Sequence, residues 1–311
     1  MRIIKAPLRI SLFGGGCDLP EYYTKHGATI ISMAINRHMY LVHNPRPTGG
    51  YRLSYSKTEE LCSLTTAKHT IIRQCALDLG GLEPCTLTIV SDVPKGTGLG
   101  SSSALSVCAN QLFRRNRIGH LADLAYSAYD IERKVSNCGV QDHLPATFGG
   151  FNVYTIDGDG RAKAKPVPFD LIKLVDKYGL LLYTGLTRPA DAILKTWKKS
   201  TGHLRRLHDL ALYAENQIQS NKVNIALLSG LLHTGWELKR MIGGVGSSDL
   251  DAQYNAALDA GALGGKLLGA GGGGCWFFLV GPEDREGVIN SLGLVEIPFR
   301  VESKGMRDVY C

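Results

Sequence analysis

Residues 94–104, which read Pro-Lys-Gly-Thr-Gly-Leu-Gly-Ser-Ser-Ser-Ala, have the composition of an anion-binding loop. Glycines let backbone N–H groups approach a ligand without a Cβ between them, and a helix that begins at the serines adds a positive partial charge. The serine hydroxyls are suited to cap that helix, to donate to phosphate or to ligate Mg²⁺. We therefore predict a site for nucleotide phosphates, with a flexible serine-capped turn as the alternative. The predicted contacts are Lys95, Gly96, Gly98, Leu99, Gly100, Ser101, Ser102 and Ser103.

Two widespread nucleotide-binding signatures do not fit the sequence. A Walker A loop needs Gly-Lys followed by Ser or Thr, but Gly265 and Lys266 are followed by Leu267. The dinucleotide fingerprint needs a glycine where Ser101 stands, and an acidic residue about 20 positions further on, which residues 115–121 do not offer. The loop therefore belongs to another class of phosphate site.

The composition is that of a globular protein with an excess of glycine. Of the 311 residues, 44% are hydrophobic and 20% charged, while many of the 37 glycines fall within residues 14–16, 96–100 and 261–274. Clustered glycines indicate backbone that lies close to a ligand. The net charge of +7 is not gathered into a long basic run, so we expect no nucleic-acid partner. A mildly positive chain suits a phosphorylated substrate.

The cysteines and the apolar segments indicate a compartment. The eight cysteines form no CxxC pair and show no zinc-like spacing, which favours a reduced cytoplasmic environment. The glycines at 14–16 interrupt the apolar residues near the start, so no signal peptide is expected there. The sequence has no run of about 20 apolar residues, and we therefore predict no membrane span.

The elements around the loop are predicted from periodicity. A strand at 86–90 precedes the loop and an apolar-striped helix at 102–114 follows it. The prolines at 163–168 indicate a connector, and residues 189–242 are mainly helical in pattern. The mixture of helices and hairpins favours an α+β fold with two lobes, residues 1–165 and 166–311. Further strands are predicted at 2–13, 28–35, 39–43, 52–55, 149–156 and 179–183, further helices at 71–79, 121–135, 204–219 and 249–260, and a glycine-turned hairpin at 263–280.

Three segments in order resemble the signature of the GHMP kinases (galactokinase, homoserine, mevalonate and phosphomevalonate kinases). They are residues 6–23, 94–104 and 266–275. Within that superfamily, Gly-Gly-Gly-x-Asp-Leu-Pro-Glu-Tyr-Tyr at 14–23, together with 139–142, 148–150 and 184–188, resembles the bacterial D-glycero-α-D-manno-heptose 7-phosphate kinases and their fucokinase relatives. The resemblance implies an N-terminal ribosomal-protein-S5-like lobe with a left-handed βαβ unit, a C-terminal ferredoxin-like lobe and an active site between them.

The resemblance also suggests a catalytic pair. Asp142 is the candidate general base, because a carboxylate near the acceptor hydroxyl can take or orient its proton. The alternative is a loop aspartate that caps the next segment. Arg9 falls where related kinases carry Lys or Arg beside the transferring phosphate, where a charged fork stabilises developing negative charge. An arginine in an apolar strand is costly unless paired, and Asp142 is the candidate partner; an edge-strand Arg that points to water is the alternative.

A Mg²⁺ site and an acceptor site are implied in the same way. Glu132 matches the family's carboxylate ligand and Ser102 its hydroxyl ligand, with Ser101 and Ser103 as alternatives. Asp18 would accept hydrogen bonds from sugar hydroxyls, although Cys17 stands where Thr is common before it. The acceptor-side residues would be Gly15, Gly16, Cys17, Asp18, Asp142, Arg188 and Gly272, and Arg37, Arg188 and Lys266 are the candidates for a distal substrate phosphate.

The activity implied is ATP-dependent phosphorylation of the anomeric C1 hydroxyl of D-glycero-D-manno-heptose 7-phosphate, which gives the 1,7-bisphosphate. ATP and Mg²⁺ would be the cofactors. Fucose, galactose or an octose phosphate remain alternative acceptors. A non-catalytic sugar sensor is a further alternative, but it would be expected to lack the base or the phosphate-loop residues. The predicted partners are small molecules, and a homodimer is left open.

Overall fold

The structure, a computed structural model, describes residues 1–114, 120–186, 193, 197 and 200–310. These residues form two β-sheets with helices packed against them. The strands are β1 (Arg2–Phe13), β2 (Ala28–Pro45), β3 (Tyr51–Ser54), β4 (Thr58–Leu61), β5 (Cys85–Ser91), β6 (Phe151–Ile156), β7 (Ala162–Pro166), β8 (Gly179–Tyr183), β9 (Ala262–Leu267), β10 (Cys275–Val280), β11 (Val295–Glu296) and β12 (Arg307–Tyr310). The helices are α1 (Pro20–His26), α2 (Thr70–Leu79), α3 (Ser101–Phe113), α4 (Leu121–Arg133), α5 (His143–Phe148), α6 (Phe169–Tyr178), α7 (Thr201–Gln219), α8 (Ile225–Arg240), α9 (Ser248–Asp259) and α10 (Arg285–Leu292).

The first sheet has the strand order β12-β1-β2-β5-β3-β4, and β6 and β7 extend it from β2. Strand β1 pairs with β12 through Arg2–Lys5 and with β2 along most of its length, and its residues from Ala6 to Phe13 are buried. Strands β3 and β5 pair in parallel, and α2 lies in the connection between them. Parallel neighbours need such a crossover because a tight hairpin cannot join them.

Strand β2 is longer than the sequence predicts. Two strands were expected, at 28–35 and 39–43, but one continuous strand pairs first with β6 and then with β5. The register against β1 shifts between Pro7 and Leu8, opposite the polar stretch that suggested a break. A bulge bends a strand without ending it, so a strand can change partners at such a point.

The second sheet has the order β11-β8-β10-β9 and is antiparallel at each described pairing. Strands β9 and β10 form the hairpin predicted for residues 263–280, and β10 is buried along its whole length. Helix α8 packs closely on this sheet: a Cβ on Gly264 would lie 2.3 Å from the carbonyl oxygen of Ser229. The glycine therefore permits a close approach of helix to strand.

The helices predicted at 102–114 and 121–135 are confirmed. Helix α3 begins one residue before the predicted start, and its stripe Ala104, Leu105, Cys108, Ala109 and Leu112 is buried. Helix α4 ends two residues before the predicted end. Among the described residues no helix is both long and apolar enough to cross a membrane.

The connector predicted at 163–168 was wrong for most of its length. Residues Ala162–Pro166 form strand β7, which pairs with β6 at the end of the first sheet. A proline is tolerated there, because an edge strand does not need every N–H in the ladder.

The fold is α+β with two lobes, one built on each sheet. The last described strand, β12, leaves the second lobe and pairs with β1 in the first sheet. A boundary between residues 165 and 166 remains a prediction, and this return of the chain ties the two lobes together.

Candidate active site

A cavity of about 350 Å³ lies against residues of both lobes. It is lined by residues of β1, of the loop after β5, of the starts of α3 and α5, and of the end of α4. Residues that are more than 100 positions apart in sequence thus face one space. The predicted site residues on its wall are Arg9, Gly15, Gly16, Asp18, Lys95, Gly96, Gly98, Gly100, Ser101, Ser102, Ser103, Glu132 and Asp142.

The predicted phosphate loop leads directly into α3. Gly96, Gly98 and Gly100 have φ values of 81°, 72° and 75°, a left-handed backbone that other residues rarely adopt. Gly100 occupies the N-cap position, and within the described residues no side chain caps the helix. The first N–H groups of α3 therefore remain available for an anion, and the serine-capped turn is not observed.

The glycine turn between β9 and β10 packs on this loop. A Cβ on Gly98 would lie 2.8 Å from the carbonyl oxygen of Leu268, and one on Gly269 would lie 2.7 Å from Cα of Gly98. A Cβ on Gly274 would lie 2.9 Å from the carbonyl oxygen of Thr97. The second lobe therefore fixes the position of the phosphate loop through backbone contacts that leave no room for side chains.

Arg9 and Asp142 form a bidentate ion pair. Nε of Arg9 donates to Oδ1 of Asp142 at 2.7 Å and Nη2 donates to Oδ2 at 2.6 Å. Nη1 donates to the carbonyl oxygen of Gly98 at 2.6 Å, and Arg9 is only 4% exposed. The predicted pairing is confirmed, and the alternative of an arginine that points to water was wrong. A fixed positive fork thus joins the phosphate loop to the candidate base.

Asp18 lines the same cavity as Asp142, and hydrogen-bond donors hold its carboxylate in place. The N–H of Gly16 donates to it at 3.1 Å, and Gln141 donates from its backbone N–H at 3.1 Å and from Nε2 at 3.2 Å. The hydroxyl of Ser11 donates to Oε1 of Gln141 at 2.9 Å, which orients that amide. A Cβ on Gly139 would lie 1.8 Å from Oδ2 of Asp18, so a glycine is required beside it.

The protonation of Asp18 is shifted toward neutral pH. Burial raises its pKa to about 6, and the charge of Asp142 adds to the rise, while the N–H groups of Gln141 and Gly16 oppose it. Ser11 and Gln141 were not among the predicted site residues. Gln141 precedes the candidate base in the motif at 139–142, but a glutamine by itself does not indicate a catalytic role.

Glu132 is the buried carboxylate behind the phosphate loop. Burial raises its pKa, but the neighbouring His143 ring and the hydroxyls of Ser102 and Ser103 outweigh this and lower it overall. Nε2 of His143 lies 2.8 Å from Oε2 of Glu132. A buried carboxylate beside a serine hydroxyl fits Mg²⁺, which prefers oxygen ligands.

Two softer ligands lie beside the same carboxylate. One ligand atom each of Glu132, Cys138 and His143 lie within 4.8 Å of one another. His143 is fully buried, and neither of its ring nitrogens has a hydrogen-bond partner among the described residues. Sulfur and imidazole ligands suit Zn²⁺ better than Mg²⁺. The structure thus places two kinds of metal ligand around one carboxylate.

Two buried lysine side chains also line the cavity. Nζ of Lys266, one of the three candidates for a distal phosphate, donates to the carbonyl oxygen of Leu12 at 2.6 Å. Nζ of Lys239 donates to the carbonyl oxygens of Leu267 at 2.7 Å and Gly269 at 2.6 Å. Lys239 was missed, because a lysine in the last turn of a helix is usually a solvated partner of the helix dipole.

Trp197 also lines the cavity and was missed by the sequence analysis. Its ring packs on Gly16, where a Cβ would lie 2.1 Å from the indole. Its Nε1 is buried without a hydrogen-bond partner among the described residues. No local pattern in the sequence relates a tryptophan near position 200 to a glycine near the start.

Two predicted contacts lie in the core rather than on the cavity wall. Cys17 is fully buried and its thiol donates to the carbonyl oxygen of Leu204 at 3.3 Å. The side chain of Leu99 is fully buried as well, and its carbonyl oxygen accepts the N–H of Arg9 at 3.0 Å. Both residues therefore support neighbours that line the cavity.

Two further candidates lie away from the cavity wall, and the position of a third is not described. The N–H of Gly272 donates to the carbonyl oxygen of Val245 at 2.8 Å, away from the wall, where Gly269 and Ala270 are the hairpin residues that line it. Arg37 is half-buried and donates to the carbonyl oxygen of Pro298 at 2.8 Å, and it is not on the cavity wall. Arg188 lies outside the residues that the structure describes.

Comparison with known proteins agrees with this geometry. The family model of the GHMP kinases N terminal domain matches residues 65–150 and that of the GHMP kinases C terminal matches residues 220–294, together just over half of the 311 residues. A D-glycero-α-D-manno-heptose 7-phosphate kinase of Campylobacter jejuni is 28% identical over 93% of this chain and 92% of its own. A mevalonate kinase of Thermococcus gammatolerans is 24% identical over 99% of this chain and 98% of its own.

A solved structure shows the same fold. A D-glycero-D-manno-heptose 1-phosphate kinase from Bacteroides thetaiotaomicron superimposes with a TM-score of 0.79 at 21% identity, covering 100% of this chain and 99% of that chain. A structural likeness at 21% identity shows the fold alone, and the two family models show the family. The chain belongs to the GHMP kinase family and is an ATP-dependent kinase that phosphorylates an alcohol group.

Proposed function

We propose that this kinase transfers the γ-phosphate of ATP to the anomeric C1 hydroxyl of D-glycero-D-manno-heptose 7-phosphate. The observation that carries the proposal is the Arg9–Asp142 pair, which joins a carboxylate to the phosphate loop through the Gly98 carbonyl. The relative from Campylobacter jejuni, named a D-glycero-α-D-manno-heptose 7-phosphate kinase, supports the choice of acceptor. The sugar assignment also draws on the hydrogen-bonding groups around Asp18.

The phosphates of ATP would lie on the N–H groups of the loop and of the first turn of α3. Glu132 and Ser102 would hold Mg²⁺, which supplies charge neutralisation at the phosphate oxygens when it is bound. Arg9 stabilises the negative charge that develops on the transferred group, because its guanidinium is already oriented before reaction. Phosphoryl transfer needs mainly positioning and electrostatic stabilisation, and this arrangement provides both.

Asp142 orients the acceptor hydroxyl and accepts its proton. About 21% of its side chain is exposed, so an acceptor can reach it from the cavity while Arg9 holds its two oxygens. Asp18 and Gln141 lie next to it and can bind neighbouring sugar hydroxyls, since a carboxylate and an amide offer both acceptors and donors. The cavity thus has a reacting end at Asp142 and a recognition wall beside it.

A substrate panel tests the acceptor. Release of ADP is measured in a coupled assay with heptose 7-phosphate, galactose, fucose, an octose phosphate and mevalonate, and ³¹P NMR identifies an anomeric phosphate in the product. We expect the highest kcat/KM for heptose 7-phosphate. A higher value for another acceptor would overturn the assignment, and no turnover of any sugar would reject a sugar kinase altogether.

An isosteric variant tests the base. Asp142→Asn should lower kcat by about 10²- to 10⁴-fold, the usual contribution of a general base, while ATP still binds. Asp159→Asn changes an exposed carboxylate and serves as the matched control. A protein without catalytic activity, such as a sugar sensor, would show no ADP release for either variant to lose.

A further inference from the structure

Two ammonium groups on the cavity wall have no carboxylate to balance them. Lys239 is 4% exposed and Lys266 is 8% exposed, and within the described residues neither forms an ion pair. Each ammonium has three donors. Lys239 gives two of them to backbone carbonyl oxygens and Lys266 gives one, so N–H groups of both remain for a ligand.

The charge of Arg9, which lines the same cavity, is already neutralised. Arg9 holds Asp142 in a bidentate pair, so that carboxylate is not free to balance a lysine. Asp18 accepts its hydrogen bonds from Gly16 and Gln141. Buried charges in proteins are normally paired, and a pair of lysines without a partner indicates that the partner is a bound anion.

The electrostatics agree with an anion as the missing partner. Burial, followed by the charge of Arg9, lowers the pKa of Lys266 to about 7. Burial, followed by the charges of Lys266 and Arg9, lowers the pKa of Lys239 well below its ordinary value. A dianion between the two amines would favour their charged forms, since an opposite charge at short range stabilises an ion.

We propose that Lys266 and Lys239 bind the phosphate group that the acceptor sugar carries at the end remote from the reacting hydroxyl. The inference rests on the proposed function, because it names the part of that substrate which these residues recognise. The ligand of the two lysines is a phosphomonoester of a sugar. Neutral sugars would leave the two amines without a counter-charge.

The point at which Lys266 contacts β1 suits an elongated substrate. Arg9, beside the reacting end, and Leu12, whose carbonyl oxygen holds Lys266, are three residues apart on one strand. A strand rises about 3.3 Å per residue, which separates the two points by roughly 10 Å. The anomeric hydroxyl and the terminal phosphate of one acyclic-tailed sugar can therefore contact the two ends of the cavity together.

Lys239 also contacts the glycine turn that packs on the phosphate loop. Its second carbonyl partner is Gly269, in the hairpin turn that packs on Gly98 of the phosphate loop. The ring of Trp197 lies 5.9 Å from its ammonium and closes the wall on that side. The phosphate of the acceptor would thus contact a lysine that also holds the turn against the ATP loop.

A comparison of phosphorylated and unphosphorylated acceptor tests the inference. The kcat/KM ratio of heptose 7-phosphate to heptose is measured for the wild type, Lys266→Met and the exposed control Lys173→Met. We expect Lys266→Met to lower this ratio by roughly 10- to 100-fold, as for loss of a hydrogen bond to a charged group, and to leave KM for ATP unchanged. The control should keep the wild-type ratio.

The outcomes separate the two proposals. If the wild type prefers heptose 7-phosphate but Lys266→Met keeps the full preference, the lysine site is rejected and the proposed activity stands. A rise in KM for ATP with an unchanged ratio would place the lysine on the nucleotide instead and also reject it. If the wild type shows no preference for the phosphorylated sugar, the proposed substrate is rejected.

Titration calorimetry of Lys239→Met with heptose 7-phosphate tests the second amine. An unchanged Kd would show that Lys239 does not bind the phosphate.

Discussion

Asp18 is a buried carboxylate, and the charge of another carboxylate on the cavity wall, Asp142, acts on it. Its pKa rises from 3.8 to about 6, so the folded protein binds this proton more tightly than the unfolded chain. The contribution to stability is therefore lost as pH rises from about 4 to about 6, by about 3 kcal/mol. This lost stability is the cost of an ionised carboxylate that can accept hydrogen bonds inside the cavity.

The pKa of Asp18 predicts an acid limb in the pH profile. Below pH 6 the carboxyl is protonated and can no longer accept from two sugar hydroxyls, so kcat/KM for the acceptor should fall by up to about tenfold per pH unit. The measurement is kcat/KM between pH 5 and 8 with ATP saturating. Asp18→Asn should remove the limb along with most of the activity. A limb near pH 6 that persists in Asp18→Asn would contradict the assignment.

Cys138 and His143 predict sensitivity to a thiophilic metal. Zn²⁺ prefers sulfur and imidazole ligands, so it should bind with Glu132 and inhibit turnover supported by Mg²⁺. Cys138→Ser should weaken zinc inhibition on the order of 10- to 100-fold, measured as the inhibition constant at fixed Mg²⁺ and ATP. Cys62→Ser, which changes an exposed cysteine, is the control. Equal inhibition of both variants would show that zinc acts elsewhere.

At the scale of elements, the phosphate loop and the β9–β10 turn work as one unit. The loop alone has the glycines that bring its backbone near an anion, but the turn of the other lobe holds it in place. Helix α3 contributes its N-terminus and buries its apolar stripe in the first lobe. The loop is therefore supported from both sides before ATP binds, which reduces the ordering that binding requires.

A small side chain at Gly98 should disrupt this unit. Gly98→Ala adds a Cβ 2.8 Å from the carbonyl oxygen of Leu268 at a φ of 72°, so the loop must move away from the turn. We expect a lower Tm and a KM for ATP raised on the order of tenfold or more, because the positive φ alone costs roughly 1–2 kcal/mol.

Gly49→Ala is the matched control for that variant. Gly49 has a φ of 79° but no atom within 4 Å of an added Cβ, so it reports the backbone cost without the clash. Thermal unfolding and ATP kinetics are compared for both variants. An equal loss of Tm and an unchanged KM for ATP in Gly98→Ala would show that the contact between loop and turn has no role in binding.

At the scale of the whole molecule, the two lobes are not separable pieces. Strand β12 pairs with β1, the strand that carries Arg9, although it follows the whole second lobe in sequence. Lys239 and Lys266 reach the cavity from the second lobe and the phosphate loop from the first. The site exists only when both lobes are assembled.

The fragment 1–165 should therefore not behave as an independent domain. It would lack β12 on the edge of β1 and the glycine turn against the phosphate loop. We expect no cooperative thermal unfolding and no shift of Tm with ATP and Mg²⁺, whereas the full chain should show both. A cooperative transition that ATP raises would instead support the predicted boundary between residues 165 and 166.

The local patterns of the sequence determined the parts of the site that are continuous in the chain. The phosphate loop with its helix, the hairpin at 263–280 and the α+β class follow from spacing and turn residues, because these depend on neighbours a few positions apart. The need of Arg9 for a counter-charge also followed, since an arginine in an apolar strand is costly unless paired, and the resemblance to the family suggested Asp142 as the partner. The motifs then related those parts to a known family.

Only the tertiary structure decided which side chains face the cavity and which support it. Lys239 is a lysine at a helix end and Cys17 a residue beside a predicted ligand, yet the first lines the cavity and the second lies in the core. Spacing cannot tell these cases apart, because the direction of a side chain depends on what packs against it from distant segments. The placement of Lys239, Lys266, Gln141 and Trp197 around one cavity comes from contacts between the lobes, which no local pattern encodes.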